Sequence, residues 1–432
     1  MKYKSYSLHN YLSIPQAEHL SEETKRDISV VANVLPFKVN NYVLDYLINW
    51  DNLENDAMYH LTFPQKGMLS DEHYAEMAAA LDKTDDRLYL KTVANNIRYQ
   101  LNPHPAGQKE YNVPEIDGEK LWGVQHKYRE IVLFFPSAGQ TCHSYCTFCF
   151  RWPQFVGMDE LKFAMKETEL LVKYLEEHQE VTDILFTGGD PMIMSFKVFE
   201  KYIEPFISDD NKTNIQTIRI GSKALGFWPY KFVSDPDADQ FLHLFERIVK
   251  KGINLSFMAH FSHPIELSTD VVKTAISRLR STGMQIRSQS PILQHINDSA
   301  EIWSEMWREQ VNQNVIPYYM FIPRDTGARD YFAVPLVKAW EIFREAYTSV
   351  SGICRSVRGP SMSCTPGKIQ ILGVSEINQE KVMALRFLQG REPDWVGRPF
   401  YAKYDPKALW IDDLKPAFSE SFFFENEMAE MF

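Results

Sequence analysis

At 432 residues, 44% hydrophobic and 24% charged, the chain carries enough apolar material for a large core and no compositional sign of disorder. Its formal net charge of -11 argues against a nucleic-acid partner, because phosphate binding calls for a concentrated basic surface. The opening MKYKSYSLHNYLSIPQ has no continuous apolar stretch, and nothing later approaches the ~20 apolar residues that cross a bilayer, so a cytoplasmic location without a membrane partner is expected.

Residues 1–125 read as a mostly helical N-terminal region, with helical spacing over 70–83 and 86–101, and the Pro-, Gly- and Asn-rich segment 102–118 reads as a linker. From 126 to 374, short β-branched or aromatic runs alternate with amphipathic stretches, the pattern of repeated βα units. Six runs predict strands, at 131–135, 182–186, 217–220, 254–258, 285–289 and 318–322. Helices are expected after them, among them 160–177, 239–251, 270–282 and 335–347. Such an alternation closes into a full barrel, curls into a partial one or lies open as a doubly wound sheet, and periodicity does not choose. Polar clusters follow the first four runs, at 142–149, 187–191, 221–223 and 260–263, where barrel folds collect catalytic groups. Residues 375–432 read as an irregular C-terminal extension, and Phe422, Phe423 and Phe424 are expected to pack on the barrel or on a second subunit of a homo-oligomer.

Five cysteines, three of them within eight residues, suit a metal site in a reducing compartment better than a disulfide framework. Cys142, Cys146 and Cys149 have the spacing C-x3-C-x2-C, so one loop delivers three thiolates to three corners of a cube and leaves a fourth iron open to a chelating molecule. A zinc site completed by His143, or cysteines without a shared role, are the plainer readings. With aromatic Phe148 just before the last cysteine, the motif resembles that of the radical S-adenosylmethionine (SAM) superfamily. That resemblance implies a partial (β/α)6 TIM-like barrel, a [4Fe-4S] cluster on the three cysteines, and SAM chelated at the open iron. It further implies one-electron cleavage to a 5'-deoxyadenosyl radical, with a reductant such as flavodoxin or ferredoxin as partner. Thr187, Gly188, Gly189 and Asp190, followed by Pro191, look like the family's glycine-rich segment that contacts the methionine amino group, although Gly-Gly-Asp by itself would be a turn. Ser222 and His260 are assigned to the same cofactor by the resemblance.

From about Tyr128 to Lys368 the chain resembles the lysine 2,3-aminomutase family more closely. The matching segments are Cys149-Phe-Arg151, FTGGDP, Ile218-Arg-Ile-Gly-Ser222, Ala259-His-Phe-Ser-His-Pro264, Ser288-Gln-Ser290 with Asn297-Asp298, and Pro317-Tyr-Tyr319. In that family pyridoxal phosphate (PLP) forms a Schiff base first with an enzyme lysine and then with the substrate amine, the adenosyl radical removes a β-hydrogen, and the imine nitrogen migrates through an aziridine-like radical. Lys368 in SCTPGK is the candidate lysine, since a desolvated amine is neutral and nucleophilic near physiological pH; the bland reading is a solvated surface lysine. Arg151 matches the arginine that binds the substrate α-carboxylate, a task suited to a guanidinium fork, and Tyr128 and Gln289 match PLP contacts.

The chain also departs from the family. The glycine run before the lysine is replaced by Ser363-Cys364-Thr365-Pro366-Gly367 and the following proline by Ile369. Where lysine-specific members carry two aspartates for the distal ammonium, this chain has Arg324 and Ser361, and a cation there repels lysine and attracts an anionic side chain, with Asp325 and Asp330 nearby in sequence. The arginine expected near the cofactor phosphate falls at Ile131, with Arg129 the nearest substitute, and no C-terminal cysteine cluster for structural zinc follows Cys364. His260 and His263 lack a third clustered ligand and read as hydrogen-bonded active-site or core histidines, and Cys354 and Cys364 as buried thiols.

The leading expectation is therefore a radical SAM, PLP-dependent amino acid 2,3-aminomutase, an isomerase acting on a small amino acid other than lysine. One alternative is a PLP-independent radical SAM enzyme that abstracts hydrogen from another small molecule or a peptide. The other is a non-catalytic iron–sulfur regulator or electron carrier.

Overall fold

The computed structural model describes residues 1–102, 111–157 and 163–431. The eleven strands of its main sheet are β1 (Val124–Tyr128), β2 (Ile131–Phe134), β3 (Asp183–Phe186), β4 (Thr217–Ser222), β5 (Asn254–His260), β6 (Gln285–Pro291), β7 (Ile316–Phe321), β8 (Arg358–Ser363), β9 (Gly367–Ile377), β10 (Glu380–Gly390) and β11 (Pro399–Lys403). They lie side by side in chain order. Strands β2 to β8 run parallel, whereas β1 and the β9–β10–β11 meander are antiparallel to their neighbours. All six expected strands are present. The sheet goes further, because Arg358–Ser363 adds a seventh parallel strand, and the extension expected to be irregular holds most of a meander whose strand Gly367–Ile377 runs across residue 374.

The period-2 alternation of the strands divides two environments. Val132, Phe134, Ile184, Phe186, Ile218 and Ile220 are fully buried beneath the helices, with Phe186 packed on Phe199 and Phe206 of the helix Phe196–Ile207. The alternate residues Leu133, Asp183, Leu185, Arg219, Arg287 and Gln289 are only partly covered and form the other wall. That wall is concave. In a flat sheet β1 and β8 would stand about 34 Å apart at ordinary strand spacing, yet Lys127 Nζ on β1 donates to the carbonyl of Cys364, the residue after β8. Arg391 likewise donates to Asn112 Oδ1 across the same gap (2.7 Å). The sheet is thus curled into a partial barrel whose interior is lined by the half-covered set.

Local chemistry explains where the expected elements shift. Ser70 and Asp86, placed inside helices by periodicity, are N-caps that accept from the backbone of His73 and Leu88, and the helices are Asp71–Lys83 and Arg87–Leu101. The helix expected over 160–177 spans Thr168–Glu177. Residues 160–162 lie outside the described residues, and Met165 instead pairs its backbone with Phe135 and Ser137. Of the expected linker, residues 103–110 are likewise outside them, and Asn112 is buried against the barrel. Phe422 and Phe424 are buried on Phe400 and Phe387 of the chain's own meander. No helix of the described residues is long and apolar enough to cross a membrane.

The N-terminal region forms one core with the barrel. Its small sheet, Ser5–Ser7 with Lys38–Asn40, grips the cysteine loop: Tyr145 N–H bonds to Lys38 O (2.8 Å), Lys38 Nζ to Cys142 O (2.7 Å), and Asn40 N–H to Ser144 Oγ (3.0 Å). The Asn40 side chain, wholly buried, donates to the carbonyls of His143 (3.3 Å) and Phe227 (2.8 Å) and accepts from Val43 N–H (3.1 Å). Asn40→Ala strands these groups and is expected to cost about 2–3 kcal/mol, read as a lower urea midpoint at unchanged slope; a change under half that size would show the clamp to be dispensable.

Candidate active site

The expected functional residues gather at the C-terminal ends of the parallel strands: the cysteine loop after β2, Thr187–Asp190 after β3, Ser222 closing β4, His260 closing β5 and Gln289 on β6. The cysteine loop and the glycine segment are in direct backbone contact. Asp190 N–H donates to the carbonyls of Gly139 (3.0 Å) and Thr141 (2.8 Å). Gly188 has φ +141°, and a Cβ on Gly189 would sit 2.5 Å from both the nitrogen and the oxygen of Thr141, so only glycines allow the approach. The Asp190 carboxylate is spent on the N–H groups of Met192 (2.9 Å) and Lys223 (3.0 Å), and burial raises its pKa to about 6 despite those bonds. It is a structural acceptor that ties β3 to β4.

Cys142, Cys146 and Cys149 are free and partly accessible. Burial pushes all three thiols up, and each is opposed by a cation of its own: Lys38 at Cys142, Lys223 at Cys146 and Arg151 at Cys149. His143, which would complete a zinc site, packs edge-on against Tyr3 (5.7 Å), and burial lowers its pKa to about 3. Among the described residues no three His, Cys, Asp or Glu side chains converge on a single ion. Three free thiols on one loop are a donor set that would suit an iron–sulfur cluster. His260 faces the loop through Phe148 (5.6 Å between rings), and its Nε2 is buried without a hydrogen-bond partner. His263 instead accepts from Ile265 N–H (3.3 Å) and acts within its own turn.

Arg151 is buried and, among the described residues, meets no carboxylate. Its guanidinium lies over Phe135 (4.2 Å), touches Gln140 Oε1 (3.3 Å), and leaves Nε unpartnered, an arrangement suited to receiving an anion. Lys368, on β9 opposite Ser363, rests its amine 4.3 Å above the ring of Tyr319. Burial lowers its pKa to about 7, helped by the positive charges of Arg219, Lys127, Arg358 and Arg324. Arg219 is neutralised by Asp183 (2.8 Å). Arg324 lies over Phe150 (4.7 Å) and touches Ser363 Oγ (3.4 Å).

Two expectations need correcting and several residues were missed. Ser361 has no exposed surface, and its hydroxyl is committed to the Met320 carbonyl (3.4 Å), so it offers nothing to a ligand. Arg129 is exposed on the β1–β2 turn and is no substitute near a phosphate; Lys127 occupies the interior, its pKa lowered to about 7 by burial, beside Tyr128, whose hydroxyl is buried without a partner. Lys127 and Lys223 each adjoin a residue read as functional, a signal available in the sequence. Lys38 and Asn40 had none, because their role depends on a docking between segments about 100 residues apart.

No family model matches the chain. A putative L-lysine 2,3-aminomutase of Aquifex aeolicus (strain VF5) is 30% identical over 397 residues, 92% of this chain and 92% of that protein. The L-lysine 2,3-aminomutase of Bacillus subtilis (strain 168) is 27% identical over 238 residues, 55% of this chain and 47% of that protein. Among solved structures, a polyhistidine-tagged anSMEcpe with bound AdoMet aligns at TM-score 0.37 and 15% identity, over 53% of this chain and 61% of that one, too loosely to bear on the chemistry. The chain belongs to the lysine 2,3-aminomutase family and is a radical SAM enzyme of the isomerase class. Gly189→Ala, which drives a methyl into Thr141 beside the first cysteine, is expected to weaken SAM binding at least tenfold in titration calorimetry while the far-ultraviolet dichroism stays native; wild-type affinity would remove the glycine segment from the site.

Proposed function

We propose that the protein is a cytoplasmic, PLP-dependent 2,3-aminomutase of an α-amino acid with an anionic side chain. The carrying observation is Lys368, whose amine is pressed toward its neutral, nucleophilic form inside a barrel wall of cations. Cys142, Cys146 and Cys149 would hold a [4Fe-4S] cluster, and Thr187, Gly188, Gly189, Asp190, Ser222 and His260 would frame SAM beside it. Together these groups supply one-electron chemistry that removes a hydrogen atom, with an electron from a flavodoxin or ferredoxin. PLP would be held at Lys368, with Tyr128, Lys127, Gln289 and Tyr319 available around it, and would supply a conjugated system for the migrating amine. The unpartnered hydroxyl of Tyr128 and the interior lysine beside it suit a phosphate.

Arg151 receives the substrate α-carboxylate, its guanidinium already desolvated and held by Phe135 and Gln140. Arg324 faces the same space, and its charge acts on both Arg151 and Lys368. A lysine substrate would bring an ammonium into this field and be repelled, whereas a side-chain carboxylate would be drawn in. Asp325, which partly offsets Arg324, lies with Arg329 and Trp410 along a small cleft.

The test is borohydride reduction of anaerobically purified protein supplied with PLP, followed by peptide mass spectrometry. A pyridoxyl group on Lys368 is expected. Because the depressed pKa makes the amine neutral above about 7, initial labelling should rise from pH 6 to pH 8 with a midpoint near 7, whereas an ordinary lysine titrates near 10.4. No adduct at Lys368 would leave radical SAM chemistry standing and remove the amino migration. Arg324→Met should raise KM for an anionic amino acid about 10- to 100-fold, the range for a lost charged hydrogen bond; an unchanged KM would take Arg324 out of substrate recognition.

A further inference from the structure

Lys223 follows the last residue of β4, and beyond the effect of its charge on Cys146 no role above uses its side chain. Its ammonium is almost fully buried, 2.6 Å from Oε1 of Glu266, which is itself wholly buried. It also touches the carbonyl of His260 and the hydroxyl of Ser262, each at 3.3 Å, and lies 4.7 Å from the ring of Phe227. Glu266 is fixed in turn by the N–H groups of Ser262 (2.5 Å) and His263 (3.0 Å), and Gly226 leaves room for it, since a Cβ there would collide with Oε1. Through Phe227, whose carbonyl shares the Asn40 amide with His143, the pair is linked to the cysteine loop. A buried ion pair of this kind seldom adds net stability over an apolar pair of similar volume, so it calls for a functional reason.

We propose that the Lys223–Glu266 pair sets the reduction potential of the iron–sulfur cluster at Cys142, Cys146 and Cys149, with Lys223 as an electrostatic positioning residue that favours the reduced form. Lys223 is the member of the pair toward the loop: its amine meets the carbonyl of His260, whose ring packs on Phe148 (5.6 Å), and its backbone N–H donates to the Asp190 carboxylate, whose own N–H bonds to Thr141 just before Cys142, whereas Glu266 is held by the N–H groups of Ser262 and His263. One-electron reduction makes the cluster more negative, so the nearer cation stabilises the product and the carboxylate moderates the gain. The inference rests on the cluster assignment and is independent of PLP.

The experiment is potentiometric titration of the reconstituted cluster, followed by electron paramagnetic resonance, in wild type, Lys223→Arg and the double variant Lys223→Met, Glu266→Gln. The double variant avoids the unpaired buried carboxylate that Lys223→Met alone would leave, and its thermal unfolding midpoint checks the fold. At a fixed poise near the wild-type midpoint, the ratio of reduced to oxidised cluster should fall about fivefold in the double variant, the size expected when a partly compensated charge near the cluster is removed at an effective dielectric constant of about 20. Lys223→Arg should keep the wild-type ratio. A double variant that carries the cluster, unfolds like wild type and titrates at the wild-type potential would overturn the proposal. Wild-type protein that takes up no cluster would overturn the cluster assignment itself, and the two failures are told apart by iron content.

Discussion

The loop that carries the three cysteines has no helix or strand of its own, so its backbone N–H and C=O groups must be met by other parts of the chain. The N-terminal region supplies Lys38, Asn40, Tyr3 and the carbonyls of His60 and Leu61, and Gly139 and Thr141, just before the first cysteine, engage the glycine segment. With the backbone held from outside, the thiols are left unengaged. This division of labour explains why the region before the barrel shares its core and is no detachable domain. It also explains why the segment Thr187–Asp190 tolerates no side chain where it meets Thr141.

A second constraint is charge. The protein as a whole is acidic, yet the barrel interior around Lys368 feels Arg219, Lys127, Arg358 and Arg324, with Asp183 committed to Arg219. Like charges in a poorly solvated space raise the cost of protonating one more amine, and the same field draws in carboxylates and phosphates. In the proposed function, the nucleophilicity of Lys368 and a preference for anionic ligands are thus two results of one arrangement. The cysteine end follows the same logic on a smaller scale, with one cation set against each thiol.

Much of this was legible in the sequence because it is local. Six parallel strands appeared as short apolar runs, and the cysteines, the glycine segment and Arg151 appeared as motifs with fixed spacing. The misses are non-local. Residues 375–403 looked irregular because strands β9 and β10 are long and mixed in polarity, so their alternation is diluted by exposed residues such as Glu376 and Lys381. Ser361 and Arg129 were placed by position in a motif, which says nothing of where a side chain points once the strand twists. The clamp by Lys38 and Asn40 had no pattern of its own, since a buried amide that satisfies distant carbonyls looks in sequence like any other asparagine.

The curl of the sheet also orders events in time. Lys127 meets Cys364 and Asn112 meets Arg391, so the wall around Lys368 is completed only by residues far along the chain. The cysteine loop, its N-terminal clamp and the glycine segment all lie before residue 230. Because chains emerge from the ribosome N-terminus first, the residues that hold the cysteine loop are made well before Lys368. If the loop holds the proposed cluster, metal could be loaded before the pocket around Lys368 closes.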